Sequence, residues 1–322
     1  MGYKTPLLAA LLLVQVGSSF AGETGDVGET TPSGMFSHLD LNFLASYTDF
    51  NFNSREGVNF NHFKGFSKQL SLGAGNVALS KTITAGLAIL TGETKVKSTV
   101  FLDPGNLGGA NQTIKNNTLF GHVLKNVYNY TFVDVAGGYG RNRITNHSAI
   151  NPNTEDQQFA FANSHSTNWF GSLSGIYSRP WKNIIFTSNV RLLYSNSSSD
   201  GYNLQFQAPD FISAVLPLTT KVWYSMENVE IATNLAPTNN VITPFVNAGL
   251  VQVLSFSNSR PILASSVNGI SPQLNLNKGG FRLGGGFTTH IKKLSIRLEE
   301  QYYNSVNTYI SYQTLLSFRY LI

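Results

Sequence analysis

Twelve long segments of the chain alternate between apolar and polar residues with a period of two, and this pattern decides the fold class. Successive side chains of a β-strand point to opposite faces, so this is the period of a strand with two different surroundings. Each segment has 10 or more residues, whereas strands of soluble proteins have about 5–6 and tilted membrane-crossing strands about 9–11. The lengths favour membrane strands, at about residues 37–52, 67–79, 82–96, 114–125, 127–141, 167–179, 184–196, 219–235, 241–255, 279–290, 294–303 and 308–322.

Composition separates the two folds that alternate in this way. A soluble sandwich packs its apolar face against a second sheet, whereas a membrane barrel turns that face to lipid and lines its lumen with polar residues. Only 12% of the residues are charged and the mean hydropathy is −0.06, although soluble domains carry about 25% charged residues. The only long apolar run is at the N-terminus, which excludes a bundle of membrane helices.

The N-terminus predicts export. Residues 1–21 have one positive charge, Lys4, then an apolar stretch and small residues before the expected cleavage after Ala21, as in a secretory signal peptide. Residues 22–36 are predicted to be a flexible periplasmic leader, and residues 37–322 the barrel domain. After cleavage 21 basic and 17 acidic residues remain, without a basic run, so no nucleic-acid partner is expected.

Short and long connections alternate along the chain. Long ones are predicted at residues 53–66, 97–113, 142–166, 197–218 and 256–278, and short turns between them. This alternation is typical of outer-membrane barrels, with periplasmic turns and extracellular loops. We therefore predict a monomeric, all-β transmembrane antiparallel barrel of about twelve strands in a bacterial outer membrane, with both termini periplasmic. Lipid cannot satisfy an open sheet edge, so the first strand must pair with the last.

Parity along the strands predicts a charged lumen. Such charges could set the ion preference of a channel, or they could pair with one another and close the lumen. Both alternatives remain open, because parity gives the face and not the contacts. The residues predicted to face inward are Asp40, Asp134, Arg191, Glu230, Arg282, Arg297, Glu299 and Arg319. Aromatic residues near strand ends are predicted to form interfacial girdles; they include Tyr47, Phe50, Phe52, Trp169, Trp223 and Tyr224.

Several stretches resemble the translocator barrel of bacterial autotransporters. They are KGFSKQLSLGAGNVALSKTITAGLAILTGETKV (64–96), VDVAGGYGRNR (133–143) and ITPFVNAGLV (242–251). The chain end resembles the signal read by the barrel-assembly machinery, carried here by Leu316, Phe318, Tyr320 and Ile322, although Phe or Trp is usual in the last position. The resemblance implies an outer-membrane barrel. Members carry a large upstream passenger, whereas only residues 22–36 precede the first predicted strand here.

No catalytic, cofactor or metal site is predicted. The six histidines lack metal-ligand spacing. His147 and His165 each stand beside serines in a predicted loop, which leaves a barrel hydrolase as a minor hypothesis. Gly284, Gly285 and Gly286 lie within a strand, where close backbone packing explains them better than phosphate binding.

The sequence therefore predicts a non-enzymatic outer-membrane barrel that acts as a narrow pore or as a scaffold that displays its loops. The alternatives are an adhesin that acts through the long loops and a translocator whose passenger is missing. The expected partners are outer-membrane lipid and lipopolysaccharide, and the barrel-assembly machinery during biogenesis.

Overall fold

The computed structural model describes residues 39–56, 59–102, 106–150, 158–206, 212–215, 217–235, 241–259, 279–305 and 309–322. The predicted signal peptide and leader lie outside these residues. The described part contains fourteen strands, and no helix within it is long and apolar enough to cross a membrane. The strands are β1 (Asp40–Glu56), β2 (Asn59–Ser80), β3 (Ile83–Leu102), β4 (Asn106–Tyr128), β5 (Thr131–Ile150), β6 (Gln158–Trp181), β7 (Ile184–Ser199), β8 (Tyr202–Phe206), β9 (Ile212–Val215), β10 (Leu218–Thr233), β11 (Val241–Asn258), β12 (Gly280–Ile291), β13 (Leu294–Ser305) and β14 (Tyr309–Leu321).

Twelve of these strands close into an antiparallel barrel. Each strand pairs with its neighbour in the chain, β10 follows β7 in the wall, and β1 pairs with β14 from Asp40↔Leu321 to Phe52↔Tyr309. Closure leaves no row of unpaired backbone groups in the wall. The predicted twelve-stranded, closed barrel is confirmed.

Three of the predicted long loops are wrong in extent, because the strands continue through most of them. β3 and β4 pair as far as Leu102↔Asn106, and β5 and β6 as far as Ile150↔Gln158. β2 likewise begins at Asn59 rather than near residue 67. In these extensions the residues are mostly polar on both faces, so the alternation that reveals a membrane strand fades while backbone pairing continues.

A small hairpin lies outside the wall. β8 and β9 pair with each other, and β8 pairs with β6 at Ala160↔Phe206. The side chain of Asn146 donates to the Tyr202 hydroxyl at 3.5 Å. Burial raises the pKa of Tyr202, and this hydrogen bond opposes the rise. The predicted 197–218 loop therefore contains two short strands, and β8 pairs with the part of β6 that is nearest its N-terminus.

Burial alternates with the same period as the sequence. The outward side chains Leu72 and Ile89 are 65% and 62% exposed, whereas inward residues such as Thr84 and Phe132 are 0% and 2% exposed. Two-residue turns join β2 to β3, β4 to β5, β6 to β7 and β12 to β13 at one end, and Lys182 and Lys292 in these turns have φ of 57°. We call this end the short-turn end.

The aromatic prediction is partly wrong. Trp169, Tyr194 and Trp223 form a contiguous outward row, with ring centroids 5.0 and 4.8 Å apart. Phe50, Phe52 and Tyr224 instead face the interior and are at most 3% exposed. They occupy inward parity positions, and strand parity overrides their closeness to strand ends.

Candidate functional site

All eight charged residues assigned to the lumen by parity lie on the inward face of the barrel. Seven are at most 8% exposed, and the side chain of Arg319 is 12% exposed. Most of them lie toward the short-turn end, whereas Arg282 lies near the opposite end of β12. Four are acidic and four basic, so the set carries no net charge.

Arg297 on β13 is the centre of the largest charged group. Its Nη1 and Nη2 donate to both carboxylate oxygens of Glu230 at 3.3 and 2.7 Å. Its Nε and Nη2 also donate to Glu299 Oε2 at 3.2 and 3.0 Å. Asn247 donates to the other Glu299 oxygen at 2.7 Å. One guanidinium thus binds two carboxylates, and we call these three side chains the Arg297 cluster.

Glycines on β12 leave room for the Arg297 side chain to cross β12 and β11 and reach Glu230 on β10. In the register, Gly286 faces Phe245 on one side and Glu299 on the other, while Gly284 faces Asn247. Without side chains there, the guanidinium lies over the Phe245 ring at 3.6 Å from its centroid. A Cβ on Gly286 would collide with the backbone oxygen of Leu298. The close-packing interpretation of these glycines is therefore supported by the contacts around them.

A second ion pair sits at the seam where the barrel closes. Arg319 on β14 donates from Nε to Asp40 Oδ2 on β1 at 2.6 Å. Asn76 and Asn42 donate to the two oxygens of the same carboxylate at 2.7 and 3.0 Å. The pair joins residues from opposite ends of the domain, which makes it a side-chain counterpart of the β1–β14 ladder.

The remaining charges have separate surroundings. His122 Nδ1 lies 3.0 Å from Asp134 Oδ1, and Arg191 donates from Nε to the Ser174 hydroxyl at 2.9 Å. Arg282 is 8% exposed, and its Nε has no hydrogen-bond partner among the described residues. Every charge of the set therefore lies inside, and direct bonds join Arg297 to Glu230 and Glu299 and Arg319 to Asp40.

An apolar layer lies in the interior, farther from the short-turn end than most of these charges. Phe120 and Phe170 stack with centroids 6.0 Å apart. They belong to a buried group contributed by six neighbouring strands: Leu90, Phe120, Ala136, Phe170, Leu193, Val222 and Tyr224. The lumen is thus narrower and less polar than alternation alone indicates. Beside this layer a cavity of about 120 Å³ is lined by Asp40, His122, Asp134 and Arg297, among others.

The hydrolase hypothesis has no geometric support. His147 lies on β5 and His165 on β6, not in a loop. Both face outward, whereas the adjacent Ser148 and Ser164 are buried inward. Neighbours in a strand point to opposite sides of the wall, so neither histidine can take a proton from the serine beside it. No group of metal-ligating side chains occurs in the described part of the chain.

The four residues of the predicted assembly signal lie on the outward parity of β14 and just beyond it. Leu316, Phe318 and Tyr320 pair with Ala45, Phe43 and Leu41 of β1. The rings of Phe43 and Phe318 are 5.9 Å apart. These residues therefore lie on, and just beyond, the strand that completes the barrel.

Sequence reasoning missed the partners of several charges. His122, Asn247 and Phe245 occupy inward parity positions and could have been assigned to the lumen on that ground. Their contacts with Asp134, Glu299 and Arg297 depend on strand register, which parity does not supply.

Most of the chain matches a known protein family. The profile described as the autotransporter beta-domain matches residues 49–299. The chain belongs to the autotransporter β-barrel family. The resemblance and the outer-membrane location that it implies are confirmed. Barrels of this family are generally non-enzymatic. No curated protein sequence matches the chain.

Solved structures show the same fold. The translocator domain of the autotransporter NalP from Neisseria meningitidis is 14% identical, with a TM-score of 0.63, covering 95% of this chain and 97% of that one. The β-domain of the Bordetella autotransporter BrkA is 13% identical, with a TM-score of 0.58, covering 88% and 99%. CymD, a monoaromatic hydrocarbon channel, is 9% identical, with a TM-score of 0.50 and 90% coverage of both chains. At these identities the likeness concerns the fold alone.

Proposed function

We propose that this autotransporter-family barrel is a non-enzymatic, narrow pore of the outer membrane, with its short-turn end in the periplasm. The observation that carries the proposal is the interior charge set, in which the Arg297 cluster reaches from β13 to β10 inside a closed wall. Charged groups in a narrow passage control which ions pass. The apolar layer adds a second constriction around Phe120 and Phe170.

The balance of charges gives a direct test. Because the eight interior charges cancel, the native pore should show weak ion selectivity. Glu230→Gln removes one negative charge and should favour anions, whereas Arg297→Gln removes one positive charge and should favour cations. Planar-bilayer recordings across a KCl gradient measure these preferences as shifts of the reversal potential.

The expected result is two shifts of opposite sign. Lys182→Gln is the control, because Lys182 lies in an exposed turn outside the lumen and should leave the reversal potential unchanged. Absence of discrete conductance from protein that migrates as a folded, heat-modifiable barrel would refute the pore. So would equal reversal potentials for the native protein and both charge variants.

The second candidate function is a scaffold that displays its strand extensions and the β8–β9 hairpin at the cell surface. β6 has 24 residues, which at about 3.3 Å per residue and a tilt of about 40° gives a height of roughly 60 Å, against an apolar band of about 25 Å. The wall from β2 to β6 therefore extends far past the membrane and carries the β8–β9 hairpin.

Replacing residues 202–215 with a short Gly-Ser linker should abolish adhesion of expressing cells while the barrel still folds; unchanged adhesion would count against this role.

A further inference from the structure

Four neighbouring strands change character on their outer face. From the short-turn end, β5 presents Val133 and Val135, then Tyr139, then Arg141 and Arg143. β2 and β3 show the same order, from aliphatic residues to lysines, and β4 has Lys125 near the short-turn end and Lys115 farther along. Away from the short-turn end, the outward cations of these strands are Lys64, Lys68, Lys95, Lys97, Lys115, Arg141 and Arg143, and we call them the basic belt.

The belt brings together positive charges that are far apart in the sequence. Among the described outward side chains of β2–β5, Glu93 is the only acid, and it pairs with Lys95 at 3.3 Å. The belt thus carries seven cations against one carboxylate, more excess charge than the net +5 of the whole chain. Phe66 lies between two of the cations, with Lys68 and Lys95 at 5.5 and 6.0 Å from its ring.

Two pairs of like charges face each other directly in the belt. The register pairs Lys64 with Lys97 and Lys115 with Arg143, and it places Glu93 opposite both Lys68 and Lys115, so the Lys64–Lys97 pair is the one without a carboxylate directly opposite. Side chains directly opposite in an antiparallel pair have Cβ atoms about 5 Å apart, and like charges there are destabilising. An anion seated between the members of each pair would remove that repulsion.

The height of the belt fits the edge of the membrane. Arg141 lies ten residues from Thr131, where β5 leaves the short-turn end. At about 3.3 Å per residue and a tilt of about 40° this is roughly 25 Å, the height of the apolar band of a membrane barrel. The belt begins where the band ends, at the level of the lipid headgroups of the opposite leaflet.

We propose that the basic belt binds the phosphate groups of lipopolysaccharide. The proposal rests on the proposed orientation, in which the short turns are periplasmic and the belt reaches the outer leaflet. Lipopolysaccharide carries several phosphates on a rigid sugar frame, and it can place separate phosphates against the two like-charged pairs. Arg143 and Arg141 add guanidinium groups that can hold phosphate oxygens in two-point hydrogen bonds.

Charge-matched variants test the site. The belt variant carries Lys64→Gln, Lys97→Gln, Lys115→Gln and Arg143→Gln. The control variant carries Lys81→Gln, Lys125→Gln, Lys182→Gln and Lys292→Gln, which removes the same charge from exposed positions at the short-turn end. Both are purified as folded barrels in detergent, and binding of fluorescently labelled lipopolysaccharide is titrated in about 150 mM salt.

The belt variant should lose about tenfold or more in lipopolysaccharide affinity, and the control variant less than about twofold. Native protein should bind chemically dephosphorylated lipopolysaccharide as weakly as the belt variant binds the intact lipid. Equal losses in both variants would overturn the proposal, and so would equal binding of dephosphorylated lipid. Equal binding to phosphatidylglycerol vesicles would replace the lipopolysaccharide site with a general anionic-surface site.

This outcome is separable from that of the pore. Lipopolysaccharide binding uses the outer face and does not require conductance, so a closed barrel could still pass the binding test. Orientation is checked separately, because the chain has no cysteine and single cysteines can be labelled without background. In intact cells Asn111→Cys should react with an impermeant maleimide, while Lys182→Cys should not. The reverse pattern would place the belt in the periplasmic leaflet and refute the proposal.

Discussion

Removal of Arg297 should destabilise the barrel more than any other single charge deletion in the lumen. Arg297 is 6% exposed and makes four hydrogen bonds to Glu230 and Glu299, which are themselves 5% and 3% exposed. Arg297→Met leaves both carboxylates without this cation. Breaking a buried ion pair from one side typically costs about 3–5 kcal/mol, and we expect a loss of unfolding free energy in that range.

A second expectation concerns the whole Arg297 cluster. If Arg297→Met lowers the unfolding free energy because Glu230 and Glu299 keep buried charges without their cation, removing those two charges should restore most of the lost stability. Arg297→Met combined with Glu230→Gln and Glu299→Gln should therefore be within about 2 kcal/mol of the native protein, since well-packed neutral replacements of buried ion pairs are often close to neutral.

Urea unfolding in phospholipid vesicles measures these differences. The three tryptophans, Trp169, Trp181 and Trp223, are at least 41% exposed on the barrel surface, so their fluorescence reports the loss of the lipid environment. A cost below about 1 kcal/mol for Arg297→Met would refute the account of a tightly coupled cluster. A triple variant as unstable as the sum of its single changes would refute it equally.

Three further predictions concern the backbone and the seam. Gly286→Val should prevent assembly of the heat-modifiable barrel, because its side chain would collide with the β13 backbone, whereas Gly175→Ala, with open space at its Cβ, should assemble normally. Lys292→Gly should stabilise the barrel by about 0.5–1 kcal/mol, since φ is 57° there and only glycine adopts that region without strain; Lys293→Gly should give no gain in the same urea titration. Asp40→Asn should lower the unfolding free energy by about 1–3 kcal/mol by weakening the bond to Arg319, and an unchanged midpoint would show that the seam is held by the backbone alone.

The faces of the strands were predictable because lipid imposes a strict pattern. Leu72, Ile89 and Val246 had to be apolar to face acyl chains, and all three are at least 62% exposed on the protein surface. Beyond the apolar band that requirement ends. The sequences of residues 97–113 and 142–166 are mostly polar and lack a clear alternation, so a pattern search does not find these strand extensions, although the hydrogen-bond ladders continue to Leu102↔Asn106 and Ile150↔Gln158.

Contacts across several strands were not predictable. Arg297 and Glu230 are separated by 67 residues and by two intervening strands, and their meeting depends on the register that brings Gly284 and Gly286 between them. The basic belt was missed for a related reason. Its cations are spread from residue 64 to residue 143 and form no run in the sequence, and only the β2–β5 ladders place Lys64 beside Lys97 and Lys115 beside Arg143.

The interior charges and the basic belt differ in what surrounds each charged group. Inside the barrel acidic and basic residues are equal in number, and Arg297 and Arg319 bond directly to carboxylates, because a charge in a confined, poorly hydrated space requires a partner that the protein itself supplies. On the outer face the belt has one carboxylate for seven cations and sets like charges opposite each other. That arrangement favours the binding of anions from the surroundings. In the orientation that we propose, a leaflet of phosphorylated lipid would supply them at the height of the belt, so the outer charges would bind a ligand while the inner charges would form a constriction.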